Sequence, residues 1–191
     1  MSGEMKPEIV RKLFHFSVAL SVPMTALSLS FTLIFLLAGT VCYCVFEFLR
    51  FRGVKVPLIS ALTSLASRPR EKDSFVLGPL TLGAGAFLSF LLFPPMAASI
   101  AVCALAFGDG FAALAGKLFG RHRPRFLFGK SIEGSLVCFA AVFISSYLIS
   151  KNPLLALFSA LTAMLAESLP LGDFDNVFLP LAVGMVVLLL M

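Results

Sequence analysis

The chain has 191 residues, 59% of them hydrophobic and 13% charged, with a mean hydropathy of +1.01. These values exclude an ordinary soluble domain and match a multispanning membrane protein, of which the whole chain, 1–191, forms one domain. The formal charge of +5 comes from 15 Lys and Arg against 10 Asp and Glu, and no nucleic-acid partner is expected of so apolar a chain.

Apolar runs long enough to cross a hydrocarbon layer roughly 30 Å thick, at about 1.5 Å per helical residue, occur seven times. They cover approximately 11–29, 31–49, 75–93, 96–118, 132–150, 153–170 and 174–191. The first is followed by others and has no small-residue cleavage pattern behind it, so a removed signal peptide is not expected. The apolar piece 56–67 is too short to cross. With Pro57 suited to a first helical turn, it reads as an interfacial or re-entrant helix. The expected fold is an all-α polytopic helix bundle of about seven transmembrane helices.

Placing the N-terminus in the cytoplasm puts Lys6, Arg11, Lys12, Arg50, Arg52, Lys55, Arg68, Arg70, Lys72, Lys117, Arg121, Arg123, Arg125 and Lys130 on the inside and leaves only Lys151 outside. This asymmetry predicts N-in, C-out and a protein integral to a cell membrane, either the cytoplasmic or an ER-type one. The outer connections near Ser30, Pro94–Pro95 and Asn152–Pro153 are minimal turns, so a site belongs at the cytoplasmic face. The cysteines Cys42, Cys44, Cys103 and Cys138 lack paired Cys-x-x-Cys spacing and read as packing residues, not zinc ligands.

A carboxylate in hydrocarbon costs on the order of 3 kcal/mol, so it must be paired, hydrated or functional. Glu47, Asp109, Glu133, Glu167, Asp173 and Asp175 all fall toward the inner ends of their spans. Glu47 has Arg50 nearby. Asp109, in Gly108-Asp109-Gly110, has no basic residue in its own helix until Lys117, about 12 Å further on, and needs a partner from another span. Two local structures fit it. Either the glycines break the helix and Asp109 caps the next turn, or the helix continues with Ala112, Gly116 and Gly120 as a small-residue packing face.

The loop that follows, Gly120 to Ser135, carries Arg121, His122, Arg123, Arg125 and Lys130. Lys130 and Ser131 precede a helix start, where free backbone N–H groups and the positive end of the dipole favour phosphate. Gly129-Lys130-Ser131 is not a Walker A loop, because Pro124 stands where that pattern needs Gly and no strand precedes it. Glu133, Gly134 and Ser135 follow on the first turn.

The series Arg11-Lys12-x-x-His15, Gly108-Asp109-x-x-Ala112 with Gly116 and Gly120, Lys130-Ser131-x-Glu133-Gly134-Ser135, Glu167-Ser168 and Asp175-Asn176 resembles the polyprenol kinase family. That family comprises dolichol kinase, phytol kinase and the CTP-dependent diacylglycerol kinases. The resemblance covers roughly Arg11 to Pro180 and rests on order and spacing, not on one motif. It implies phosphoryl transfer from a nucleoside triphosphate, typically CTP, to the hydroxyl of a membrane lipid alcohol. Asp109, Lys130, Ser131, Glu133, Glu167, Asp175 and Asn176 fall on its motif positions, with Arg68 and Glu71 as looser matches upstream.

The chemistry of the residues agrees. Phosphoryl transfer asks for positioning and charge neutralisation. Lys117, Arg121 and Lys130 suit phosphate oxygens, with Ser131, Gly134, Ser135 and Asn176 beside them. Asp109, Glu133 and Asp175 offer hard oxygens to Mg²⁺. Glu167, Asp175 or His15 could orient the alcohol as base. A cytidylyltransferase joining CTP to a lipid phosphate shares much of this pattern but ends with an Asp-Arg-x-x-Asp type of element, where this chain has Asp175-Asn176. A small transporter would carry midplane coupling residues or inverted repeats, and the sequence has neither. Glycines on helix faces suit a homo-oligomer as well as internal packing.

Overall fold

The computed structural model describes residues 2–54 and 74–191, and the expected interfacial helix 56–67 lies outside the described residues. Regular structure among the described residues is entirely helical: α1 (Ser2–Val18), α2 (Ser21–Leu27), α3 (Leu29–Phe51), α4 (Gly78–Leu92), α5 (Pro95–Leu118), α6 (Ile132–Ser150), α7 (Pro153–Ser168) and α8 (Asp175–Leu190). Among the described residues, four helical stretches are long and apolar enough to cross a membrane: α3, α5, α6 and, with its lead-in turn, Gly172–Leu190. The apolar helices α4 and α7 are shorter, at 15 and 16 residues.

The continuous first span expected over 11–29 is instead two helices. Pro23 has no N–H for the Ala19 carbonyl and its ring crowds the preceding turn, so a straight helix cannot pass through it. The chain turns on three-residue hydrogen bonds, Ala19 N–H to Phe16 O and Leu20 N–H to Ser17 O, both 3.1 Å. Other ends follow from local chemistry. The Ser28 hydroxyl accepts from Phe31 N–H at the start of α3, and the Asn152 side chain accepts from Leu154 and Leu155 N–H ahead of Pro153, which needs no partner at a first turn.

Helix α5 is the centre of the bundle, touched by α1, α4, α6 and α8. Its first half is built of small and branched residues, and Ala97, Ala98, Ile100, Ala101, Val102, Ala104, Leu105 and Ala106 are fully enclosed. Small side chains let neighbouring backbones close in where lipid supplies no hydrophobic drive between helices. Leucines and phenylalanines elsewhere, among them Phe31, Phe35, Leu148 and Leu165, face outward.

Between Ala104 and Asp109 the α5 backbone widens into a single π turn before resuming at Gly110. The continuing-helix alternative is therefore the one observed, and Asp109 caps nothing. The flanking glycines are needed for close approach. A Cβ at Gly108 would lie 2.8 Å from a Val142 methyl of α6, and one at Gly110 would lie 2.6 Å from the Phe16 ring of α1. A similar contact joins Gly116 of α5 to Gly134 of α6. Asp109 is thus held where α1 and α6 press on opposite sides of one widened turn.

A second fixed point is Glu47, fully enclosed near the end of α3. It accepts from Arg50 Nε and Nη2 at 2.8 and 2.6 Å and from Val76 N–H at 2.9 Å, while Tyr43 donates to Val76 O. The expected Glu47–Arg50 pairing is present, and it pins the segment that leads into α4.

Candidate active site

The partner that Asp109 requires is Lys12. The ammonium of this lysine, 1% exposed, donates to Asp109 Oδ2 at 2.6 Å, and His15 Nδ1 stands 2.9 Å from the same oxygen, off the line of a hydrogen bond. Lys12 and His15 are three positions apart on α1 and so share a face. In the sequence, Lys12 stands among the inner-face cations and in the Arg11-Lys12-x-x-His15 element of the family series, with no site role of its own. The signal was available: a lysine inside an otherwise apolar run needs a counter-charge as much as the aspartate does.

Around this buried cluster opens a polar cleft of about 630 Å³, formed by α1, the second half of α5, the loop before α6 and the facing ends of α7 and α8. Of the residues expected at the site, Asp109, Lys117, Lys130, Ser131, Gly134, Glu167 and Asp175 line it. Glu8, Arg11, Lys12 and Arg123 join them. Lys130 Nζ donates to Glu167 Oε1 at 2.7 Å. Burial alone would depress the Lys130 ammonium, but the Glu167 carboxylate, helped by Asp109 and Asp175, outweighs it and raises the group above the usual lysine value. Lys117 is paired with Glu8 at 2.9 Å. Burial would lift the Glu8 carboxyl, yet Arg11, Lys117 and Lys12 together hold it below the ordinary glutamate value.

Two polar atoms at this cleft, Arg11 Nη1 and Glu167 Oε2, are buried without a hydrogen-bond partner among the described residues. An unpaired buried donor or acceptor costs about 1–3 kcal/mol, so each marks a place where a ligand atom would be welcome.

The remaining expected residues lie elsewhere, for identifiable reasons. The Glu133 carboxylate turns back onto the loop, accepting from Arg121 and His122 N–H, both at 3.1 Å, and facing His122 Nδ1 at 2.8 Å. It does not line the cleft, and Asp109, Glu133 and Asp175 do not converge. Among the described residues no three His, Cys, Asp or Glu side chains gather as a ready-made metal cage. Arg121 contributes its backbone N–H to Glu133 and keeps its exposed side chain away from the cleft wall.

The start of α6 is also less open to phosphate than its sequence suggests. Ser131 Oγ is spent as the N-cap, accepting from Gly134 N–H at 3.1 Å, and Ile132 N–H bonds the His122 carbonyl. Ser135 is buried behind this turn with its hydroxyl unpartnered. Asn176 is a latch, donating from Nδ2 to Gly78 O and Thr81 Oγ1 at 3.2 and 3.0 Å and tying α8 to α4. Arg123 bonds the Gly116 and Gly129 carbonyls, each at 2.7 Å, and fastens the loop to the end of α5.

Among curated proteins, the chain is similar to a phytol kinase of Synechocystis sp., with 32% identity over 136 residues that cover 65% of this chain and 58% of that protein. The chain therefore spans less than two thirds of the relative it matches. No protein-family profile and no solved structure matches it.

Proposed function

We propose that the protein is a lipid-alcohol kinase, transferring the terminal phosphoryl group of a nucleoside triphosphate, CTP in the first instance, to the hydroxyl of a membrane isoprenoid alcohol or diacylglycerol-type lipid. The proposal includes an N-in, C-out bundle of about seven spans with the cleft at the cytoplasmic face, in keeping with the cation asymmetry of the sequence. The observation that carries it is the pairing of Lys12 with Asp109 and Lys130 with Glu167 around one cleft, in a chain similar to a phytol kinase.

A triphosphate is an anion arriving from water, and the cleft meets it with Lys130, Lys117 and Arg11 Nη1, which has no partner among the described residues. Such preorganised cations stabilise charge on the transferring phosphoryl group at little reorganisation cost. Asp109 holds Lys12 by a hydrogen bond and stands beside His15 Nδ1. The cleft residues fit a magnesium ion. Asp175 and the unpaired Glu167 Oε2 are hard-oxygen donors on the wall, and Mg²⁺ ordinarily takes one or two carboxylates and completes its shell with phosphate oxygens and water. Bound there, it would neutralise phosphate charge.

The test is a panel of nucleotides against lipid alcohols and lipid phosphates, with purified protein in detergent and Mg²⁺ present or withheld. Release of nucleoside diphosphate with a phosphorylated alcohol is expected. Pyrophosphate released with a lipid phosphate as acceptor would make the protein a cytidylyltransferase. Solute flux in proteoliposomes without nucleotide turnover would make it a transporter.

A further inference from the structure

On the other flank of α1 lies a second, narrow pocket, with walls formed by Phe14, Val76, Pro79 and Leu82. Three polar groups border it: Arg11, His15 and Asp173. The two compartments meet along one wall. Arg11 lines both, and Asp173 and Asp175, two positions apart, face one each. His15 lines the apolar pocket while its Nδ1 stands 2.9 Å from the Oδ2 of Asp109, which lines the polar cleft. A polar, cation-lined chamber and an apolar chamber therefore touch across a His–Asp pair, with a buried guanidinium nitrogen of Arg11, unpartnered among the described residues, at the same junction.

Resting on the lipid-alcohol kinase reading, we propose that the apolar pocket is the acceptor subsite. It takes the hydroxyl-bearing end of the lipid, and His15 receives the hydroxyl. With Nδ1 turned to Asp109, Nε2 is the ring nitrogen left for substrate. The alcohol oxygen attacks the terminal phosphorus and forms a new O–P bond. The bond from that phosphorus to its bridging oxygen breaks, and the nucleoside diphosphate leaves with the electron pair. The hydroxyl proton passes to His15 Nε2, and Asp109 stabilises the resulting imidazolium. Phe14, Val76, Pro79 and Leu82 give the pocket apolar walls for the hydrocarbon next to the hydroxyl.

Two measurements test the assignment. A long-chain primary alcohol carrying a diazirine beside its hydroxyl, photolysed with the whole protein in detergent, should label peptides of α1 and α4. Labelling confined to α6 or α7 would overturn the proposal. In steady-state kinetics, Leu82→Phe should raise KM for the alcohol roughly tenfold or more and leave KM for the nucleotide unchanged. His15→Gln should lower kcat by about 10²–10⁴ with the alcohol KM nearly preserved. A Leu82→Phe effect on nucleotide KM alone, or full kcat in His15→Gln, would refute it. Photolabelling of the unsubstituted protein decides the matter if Leu82→Phe does not fold. Labelling of α1 and α4 without turnover of any alcohol would keep the binding pocket and discard the kinase reading.

Discussion

The cleft around Asp109 and the loop leading into α6 are both crowded with charge, yet they dispose of it in opposite ways. In the loop, polar groups are spent on the loop itself. Arg123 holds two carbonyls, Glu133 gathers two backbone N–H groups, and Ser131 caps its helix. At the cleft, two buried polar atoms, Arg11 Nη1 and Glu167 Oε2, find no partner among the described residues. Charge density alone does not distinguish a site from a scaffold. Unsatisfied buried charge does, because a fold retains that cost only where something else relieves it.

The largest expected effect comes from the centre of the cleft. Asp109→Asn should lower turnover by about 10³-fold, since it removes the charge that holds Lys12 and faces His15. It should also destabilise the protein by roughly 3–5 kcal/mol by leaving the Lys12 charge buried alone. Combining Lys12→Met with Asp109→Leu should recover the stability, read as thermal unfolding in detergent, and not the activity. Recovery of both would erase the contrast between cleft and loop. Next, Lys130→Ala should cost about 10²-fold in turnover and raise the nucleotide KM.

Glu133→Gln sharpens the comparison from the other side. It should change turnover only a few-fold and act mainly by loosening the loop, seen as faster proteolysis between α5 and α6. A loss as large as that of Asp109→Asn would return Glu133 to the reaction centre.

Two smaller effects follow. Asn176→Ala should destabilise by about 1–3 kcal/mol with substrate KM values unchanged, because its amide serves as a latch. The Glu8–Lys117 pair carries a pH signature. Glu8 has a lowered folded-state value, so its contribution is present above the ordinary glutamate range and lost as pH falls through the folded value. Glu8→Gln should flatten that acid limb of the unfolding profile. Lys151→Ala, on a turn remote from the cleft, should change neither activity nor stability measurably.

Much of this arrangement was legible in the sequence because burial cost is legible. A lone aspartate in an apolar run had to find a cation from another span, and the four helical stretches long enough to cross lie in apolar runs marked by composition, whereas the runs 75–93 and 153–170 hold helices of only 15 and 16 residues. What sequence reasoning missed is directional. Nothing in the order of residues says that Glu133, one turn into α6, would swing back to the Arg121 and His122 amides instead of forward to Asp109. The inward turn of Lys12 was not legible, because a cation near a span end satisfies the positive-inside pattern whether or not its side chain points inward. The break at Pro23 was readable from proline chemistry, yet the unbroken apolar run outweighed it.

The most direct test of the central claim is phosphoryl transfer from nucleotide labelled at the terminal phosphorus, compared between the unsubstituted protein and Asp109→Asn. The account predicts label in the lipid and nucleoside diphosphate in solution for the first, and neither above background for the second, with both proteins folded. Undiminished transfer by Asp109→Asn, or a lipid labelled only from the α-phosphorus, would contradict it.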